Sequence, residues 1–456
     1  MSKSRLFTAR WIAPVTSPAI ENGAVLISGE TIAAVGPVDQ FAALDIERID
    51  LGNAVLLPGL VNVHAHPELA GFRNLLDDLP FHLWIPELMR CRREAGLTDD
   101  DLLASALWTC VESMRAGITT MGATESSGQA AQALHATGLR GIVYLECFGP
   151  DPAQVDDSLE AWHRRAETIA HWSGDRVGLG ISPHAPYSVS DALFAAAARV
   201  SREQSLPLAT HIAEAEAEDL LVRSGEGPFA AGLRARGIAT PPRASSSIAL
   251  LESLGVLDVR PLLIHCVRID AADIERIARA GASIAHCPVA NARLGHGIAP
   301  MVEALEAGVT VAVGTDSVGS NNRLDLLEEA RHAQVLQRAR LQASAPLPAE
   351  QLLRMITIDA ARALGLESKI GSLEAGKSAD LCAISLDTPE ALPLGDLTNA
   401  IFHGLRGSHV NFTMAAGRTL VENGTILSMP AGLSQQMLEI GERLRAAREP
   451  RWQRTV

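Results

Sequence analysis

The sequence predicts an α/β protein: a (β/α)8 TIM-like barrel with a small β-sandwich domain formed from both termini. Three observations predict it. Eight short apolar runs follow one another through the middle of the chain, with Ala/Leu/Arg-rich stretches of helical character between them. Strand-and-turn signals sit at both ends. The polar residues that close the runs form one chemical set.

Residues 4–57 read as short strands. The apolar segment 23–29 follows an Asn22-Gly23 turn, and 31–36 answers it after Glu30, which is a meander signal. The same pattern returns at 380–385, 410–416 and 417–424. One composite domain, 1–57 with 369–456, accounts for both ends. Its last stretch, 433–448, places Leu433, Met437, Leu438, Ile440 and Leu444 at helical spacing and predicts a docked amphipathic helix.

The insert, 58–368, carries the barrel. Its runs are 55–66, 117–125, 140–149, 177–186, 206–214, 261–268, 282–288 and 309–317, with helices predicted at 99–116, 191–204 and 270–280 among others. Strands separated by helices demand parallel pairing and right-handed crossovers. An open doubly wound sheet is the alternative.

A chain of 456 residues can bury one large core and a satellite, and its 47% hydrophobic content excludes a disordered or fibrous chain. The net charge of −14, with no basic run, argues against nucleic acid and anionic membrane as partners. No stretch approaches the ~18 apolar residues of a membrane span, and 1–14 lacks the apolar core of a leader. The six cysteines are scattered without a CxxC pair, as in free thiols of a reducing cytoplasm.

The barrel hypothesis puts chemistry at the C-terminal ends of the strands. The first run ends in His64-Ala65-His66, and residues two apart on a strand face the same side. The fifth ends in His211 and Glu214, the sixth in His265, the eighth in Asp316. Three imidazoles and a carboxylate suit one divalent ion, most often zinc, with iron or manganese as alternatives. Each piece alone has a plainer reading. His265 could be a bonded core histidine, Glu214 a solvated helix-start acid, and the Gly314-Thr315-Asp316 triplet a turn. Their order at four strand ends outweighs those readings.

Four segments carry a resemblance: 58–66 (PGLVNVHAH), 286–300 (HCPVANARLGHGIAP), Gly314-Thr315-Asp316 with Ser320-Asn321-Asn322, and 371–380 (GSLEAGKSAD). Together they resemble the amidohydrolase superfamily over almost the whole chain, and within it the cytosine deaminase-like nucleobase and nucleoside deaminases. Segments 75–84 (LLDDLPFHLW) and 182–187 (SPHAPY) are most similar to deaminases of S-adenosylhomocysteine, methylthioadenosine or aminodeoxyfutalosine. Two-metal relatives often bridge their ions with a carbamylated lysine, but lysine occurs here only at 3, 369 and 377. A single ion held by His64, His66, His211 and Asp316 remains.

The resemblance implies hydrolytic deamination of an adenine-type nucleoside, with another aminated heterocycle (guanine, cytosine, pterin, s-triazine) as the alternative. A zinc ion lowers the pKa of its water to about 7. Glu214 would carry a proton to the ring nitrogen, Asp316 would accept the water proton, and His265 would orient the nucleophile. Four residues are implied to contact substrate: His184 on the purine or sugar side, Glu94 on ribose hydroxyls, Asn291, and Glu146. Glu146 stands near the place where S-adenosylhomocysteine deaminases carry an arginine, so an anionic tail is disfavoured. The insertion around 225–230 would shape a lid within 221–257. The family is often oligomeric, so a homo-oligomer is implied as well.

Overall fold

The computed structural model describes residues 4–452, with side chains to 448; residues 1–3 and 453–456 of the composite-domain expectation lie outside the described residues. Strands β1 (Ser4–Ile12), β2 (Ile20–Ser28), β3 (Thr31–Pro37), β4 (Glu47–Asp50) and β5 (Ala54–Pro58) open the chain. Two runs of four follow: β6 (Leu60–Ala65), β7 (Ile118–Glu125), β8 (Arg140–Cys147) and β9 (Val177–Pro183), then β10 (Ala209–Ile212), β11 (Leu262–His265), β12 (Ser283–His286) and β13 (Thr310–Val313). Strands β14 (Leu381–Ser385), β15 (Val410–Ala415), β16 (Arg418–Glu422) and β17 (Thr425–Ile426) complete the set.

The strands from both ends join in one nine-stranded sheet, ordered β17-β16-β15-β14-β5-β1-β2-β3 with β4 also on β1. Strands β15 and β1 are third neighbours, about 14 Å apart in a flat sheet. Yet the rings of Phe7 and Phe412 meet at 5.4 Å. The sheet therefore rolls over a core that also holds Ile12, Val25, Leu56, Leu381 and Met414. The Asn22-Gly23 pair, expected as a turn, lies inside β2. There the pairing skips from Trp11–Glu21 to Ala9–Gly23, and a Cβ at Gly23 would lie 2.4 Å from Ile12.

Strands β6 to β9 pair in parallel, as do β10 to β13. The run expected at 55–66 is two strands: β5 pairs with β14 in the terminal sheet, and Gly59 breaks the chain before β6. A Cβ at Gly59 would lie 2.2 Å from the Thr119 hydroxyl oxygen, so only glycine lets the two sheets approach there. Helices Asp99–Arg115, Asp191–Gln204 and Ala271–Ala280 lie between strands as expected. Capping boxes at Thr98/Asp101 and Asp270/Asp273 start two of them. The strand residues Val61, Val63, Ile142, Tyr144, Ala209 and Ile264 share one buried cluster with Ala360 and Ala361 of the helix Ile358–Ala363.

The terminal helix spans Leu433–Trp452, and Ile440 and Leu444 are fully buried beside Gly71. Arg443 pairs with Asp101, which fixes the helix against Asp99–Arg115. Leu438, expected on the docked face, is 64% exposed. Among the described residues no helix is long and apolar enough to cross a membrane, and all six cysteines are buried and free.

Candidate functional site

The C-terminal ends of β6, β10, β11 and β13 deliver their polar residues to one point. His64 closes β6 with His66 just beyond, His211 lies in β10, His265 ends β11, and Asp316 follows β13. The backbone is unusual there: Ala213, His265, Cys266 and Asp316 have φ of 51°, 76°, 48° and 59°. Non-glycine residues avoid this region, so the fold spends conformational energy to aim these side chains.

The His66 and His211 Nε2 atoms are 3.2 Å apart, and Asp316 Oδ1 lies 3.3 Å from His64 Nε2 and 3.5 Å from His66 Nε2. Ligands of a tetrahedral zinc at Zn–N of about 2.05 Å stand about 3.3 Å apart. The spacing therefore fits one small cation. His64 Nε2 is buried with no hydrogen-bond partner, although its Nδ1 meets Thr124 Oγ1 at 3.1 Å. His211 Nδ1 lies 3.3 Å from the His184 carbonyl oxygen, which leaves Nε2 as the free lone pair. Burial pushes His64 and His211 below the ordinary histidine value, and burial followed by the His64 charge takes His66 down to about 4. The imidazoles are thus neutral, the form that ligates. These four residues could hold a divalent ion. Ser320 Oγ donates to Asp316 Oδ2 at 2.8 Å and fixes the carboxylate.

Glu214 faces this group. Its Oε1 lies 3.4 Å from His265 Nε2 and 3.2 Å from His296 Nε2, and the Tyr187 hydroxyl lies 3.4 Å from Oε2. Glu218 holds the loop beneath: its oxygens accept the Ala213 N–H at 2.7 Å, the Glu214 N–H at 3.0 Å and the Ser247 hydroxyl at 2.7 Å. Burial pushes Glu218 up to about 7.

A cavity of about 610 Å³ opens over the cluster. His184 and Glu146 line it, with Nε2 and Oε1 3.8 Å apart. The insertion forms the helices Glu216–Ser224 and Gly227–Arg234, and Phe229 reaches the cavity wall from it. Phe229 stacks on Tyr187, ring centroids 4.3 Å apart at 17°.

Two residues expected to contact substrate lie outside the cavity lining. Glu94 is outside the cavity lining, its side chain 46% exposed and paired with Arg90. On the helix Phe81–Glu94 the lining residues Phe81, Ile85, Leu88 and Arg92 recur every three or four positions. Glu94 follows Arg92 by about 200° of helical rotation and faces away. Asn291 is buried behind His265, its Oδ1 2.9 Å from His265 Nδ1, and does not line the cavity. Sequence reasoning also missed His296, Tyr187, Thr124 and Glu218 as partners of the cluster. His296 lay inside a quoted motif, but no strand or helix period tied it to Glu214.

A model of the amidohydrolase family matches residues 55–420. The 5-methylthioadenosine/S-adenosylhomocysteine deaminase of Syntrophobacter fumaroxidans is 34% identical over 89% of this chain and 90% of its own. The 5′-deoxyadenosine deaminase of Methanosarcina barkeri is 30% identical over 90% of each. A crystal structure of an adenosine deaminase from Xanthomonas campestris with bound zinc superposes with a TM-score of 0.86 at 26% identity, covering 98% of this chain and 99% of that one.

Proposed function

The chain belongs to the amidohydrolase family, and from that membership we propose that it is a metal-dependent hydrolase of C–N bonds that deaminates an adenine-type nucleoside. The names of relatives that span nine-tenths of the chain support the substrate class. The observation that carries the reading is Glu214: a buried carboxylate three positions past His211, open to the cavity, and in contact with His265. The ion is read as zinc, held by His64, His66, His211 and Asp316. When bound it supplies Lewis acidity and a water of lowered pKa.

The chain's own residues do the rest. The adenine ring enters with its amino-bearing carbon toward the histidine cluster. Glu214 delivers a proton to the adjacent ring nitrogen, which makes that carbon electrophilic. His265 orients the attacking water, and Asp316 accepts its proton while Ser320 steadies the second oxygen. That proton goes to the exocyclic amine, which departs as ammonia, and the hydroxyl left on the ring carbon returns its proton to Glu214, leaving a ring carbonyl and restoring both carboxyl groups. Tyr187 and His296 keep Glu214 in place.

The two parallel sheets are read as one closed (β/α)8 barrel. The Ile181–Leu208 bridge supports this at one junction, and the Asp316 N–H to His64 carbonyl bond of 3.0 Å supports it at the other. The terminal strands form the companion domain, with the division near 58 and 368.

Ammonia release from a panel of adenine nucleosides, free bases and triazines tests the function. Turnover confined to bases or triazines overturns it. Glu214→Gln is expected to keep its metal and lose kcat by orders of magnitude.

A further inference from the structure

Two acceptor atoms that line the cavity stand opposite each other with no donor between them. Glu146 lies near the end of β8, and His184 follows β9. Glu146 is 5% exposed, and its Oε1 has no hydrogen-bond partner. The Ser188 hydroxyl donates to the Ala185 carbonyl oxygen at 3.1 Å, so the same oxygen accepts from His184 Nδ1 at 2.6 Å. Nδ1 therefore carries the hydrogen, and Nε2 presents a bare lone pair. It stands 3.8 Å from Glu146 Oε1.

A proton does not satisfy the pair. At 3.8 Å the two atoms are too far apart for a hydrogen bond, so protonating one leaves the other bare. The nearby guanidiniums point elsewhere: Arg165 Nη2 lies 3.4 Å from the Glu146 carbonyl oxygen, and Arg92 Nη1 stands 3.6 Å from Glu68 Oε1. A single ion does fit. Zinc bonds of about 2.05 Å to nitrogen and about 2.1 Å to oxygen span this gap at an angle of roughly 130°. An imidazole with a carboxylate is also a donor set that zinc accepts. A His211 nitrogen lies within 4.8 Å of both atoms, which sets the pair beside the first cluster.

We propose that Glu146 and His184 form a second, weaker zinc site in the substrate cavity, and that zinc in excess of the first equivalent shuts the substrate out there. Two protein ligands stand against four at the His64 cluster, so the second ion leaves first on dilution. Both residues line the cavity, so ion and substrate exclude each other. The inference rests on the single-ion reading of the His64 cluster.

Equilibrium dialysis of the full chain against zinc, up to about 100 μM and without substrate, tests it. The wild type should take up a first equivalent and then a second. Glu146→Gln and His184→Ala should keep the first and lose the second. Ser188→Ala, which removes the acceptor that fixes the His184 tautomer, should weaken the second by about 10- to 100-fold. Tm is measured for each variant, and Ser188→Ala answers if the other two do not fold. Over the range in which the second equivalent binds, the KM of the wild type should rise while kcat holds. Uptake that stops at one equivalent overturns the second site alone, as does a second equivalent that survives undiminished in the folded variants. A fall in kcat at constant KM overturns the competition with substrate. Uptake of no zinc at all overturns the reading of the His64 cluster along with it, a separate result.

Discussion

Asn291 Oδ1 lies 2.9 Å from His265 Nδ1, and both residues are 1% exposed. The carbonyl oxygen only accepts, so Nδ1 carries hydrogen and Nε2 is the nitrogen turned toward Glu214 at 3.4 Å. A proton must then lie between Nε2 and the carboxylate for that contact to be favourable. Asn291 therefore sets the tautomer of His265 without touching substrate.

Asn291→Ala should accordingly lower kcat by about 10- to 100-fold, leave KM within a few-fold and keep the metal. Asn291→Asp still accepts from Nδ1 and should retain more activity than the alanine variant. Steady-state kinetics on both decide the matter. Equal losses, or a loss confined to KM, would show that Asn291 is only filler.

The cluster of imidazoles around Asp316 was legible because its chemistry follows simple spacing. His64 and His66 are two apart at a strand end, and His211, His265 and Asp316 each close an apolar run. Asn291 and Glu94 fall outside the cavity lining for a common reason: a motif fixes a position along the chain but not the phase of its helix. Glu218 was invisible, because its role is to capture backbone N–H groups that a left-handed Ala213 turns toward it. No residue pattern encodes that turn. The terminal sheet was legible in outline, whereas the break between β5 and β6 depended on the close approach of Gly59 to Thr119.

Removing the metal should destabilise the protein as well as silence it. The buried His64 Nε2 has no hydrogen-bond partner, and the Asp316 carboxylate would face neutral imidazoles with no cation between them. An ion present at a thousand times its Kd contributes about 4 kcal/mol. Thermal denaturation with and without a chelator should show a Tm drop reversed by zinc. His66→Ala should show neither the drop nor stoichiometric metal.

Glu218 should give stability a pH dependence. Burial raises its carboxyl from 4.5 to about 7. A raised acid favours the folded state fully below the unfolded value and loses that advantage as pH climbs through the folded one. The stability difference between wild type and Glu218→Gln should therefore shift against the wild type between pH 4.5 and about 7, by on the order of 3 kcal/mol. Denaturant unfolding of both proteins across that window measures it. A difference independent of pH would mean that Glu218 stays ionised.

Phe229 and Tyr187 should separate binding from chemistry. Phe229 stacks on Tyr187 at 4.3 Å and meets the Phe81 ring at 6.0 Å, and its side chain has no group that can transfer a proton. Tyr187 carries that stack and also places its hydroxyl 3.4 Å from Glu214 Oε2. An aromatic pair is worth about 0.5–1.5 kcal/mol beyond its buried area, so Phe229→Ala should raise KM by roughly 2- to 10-fold with a smaller change in kcat. Tyr187→Phe keeps the ring and loses the hydroxyl, so its deficit should fall on kcat. Should Phe229→Ala instead lower kcat as far as Tyr187→Phe while KM holds, the helix pair after β10 would be acting on Glu214 rather than covering the bound nucleoside.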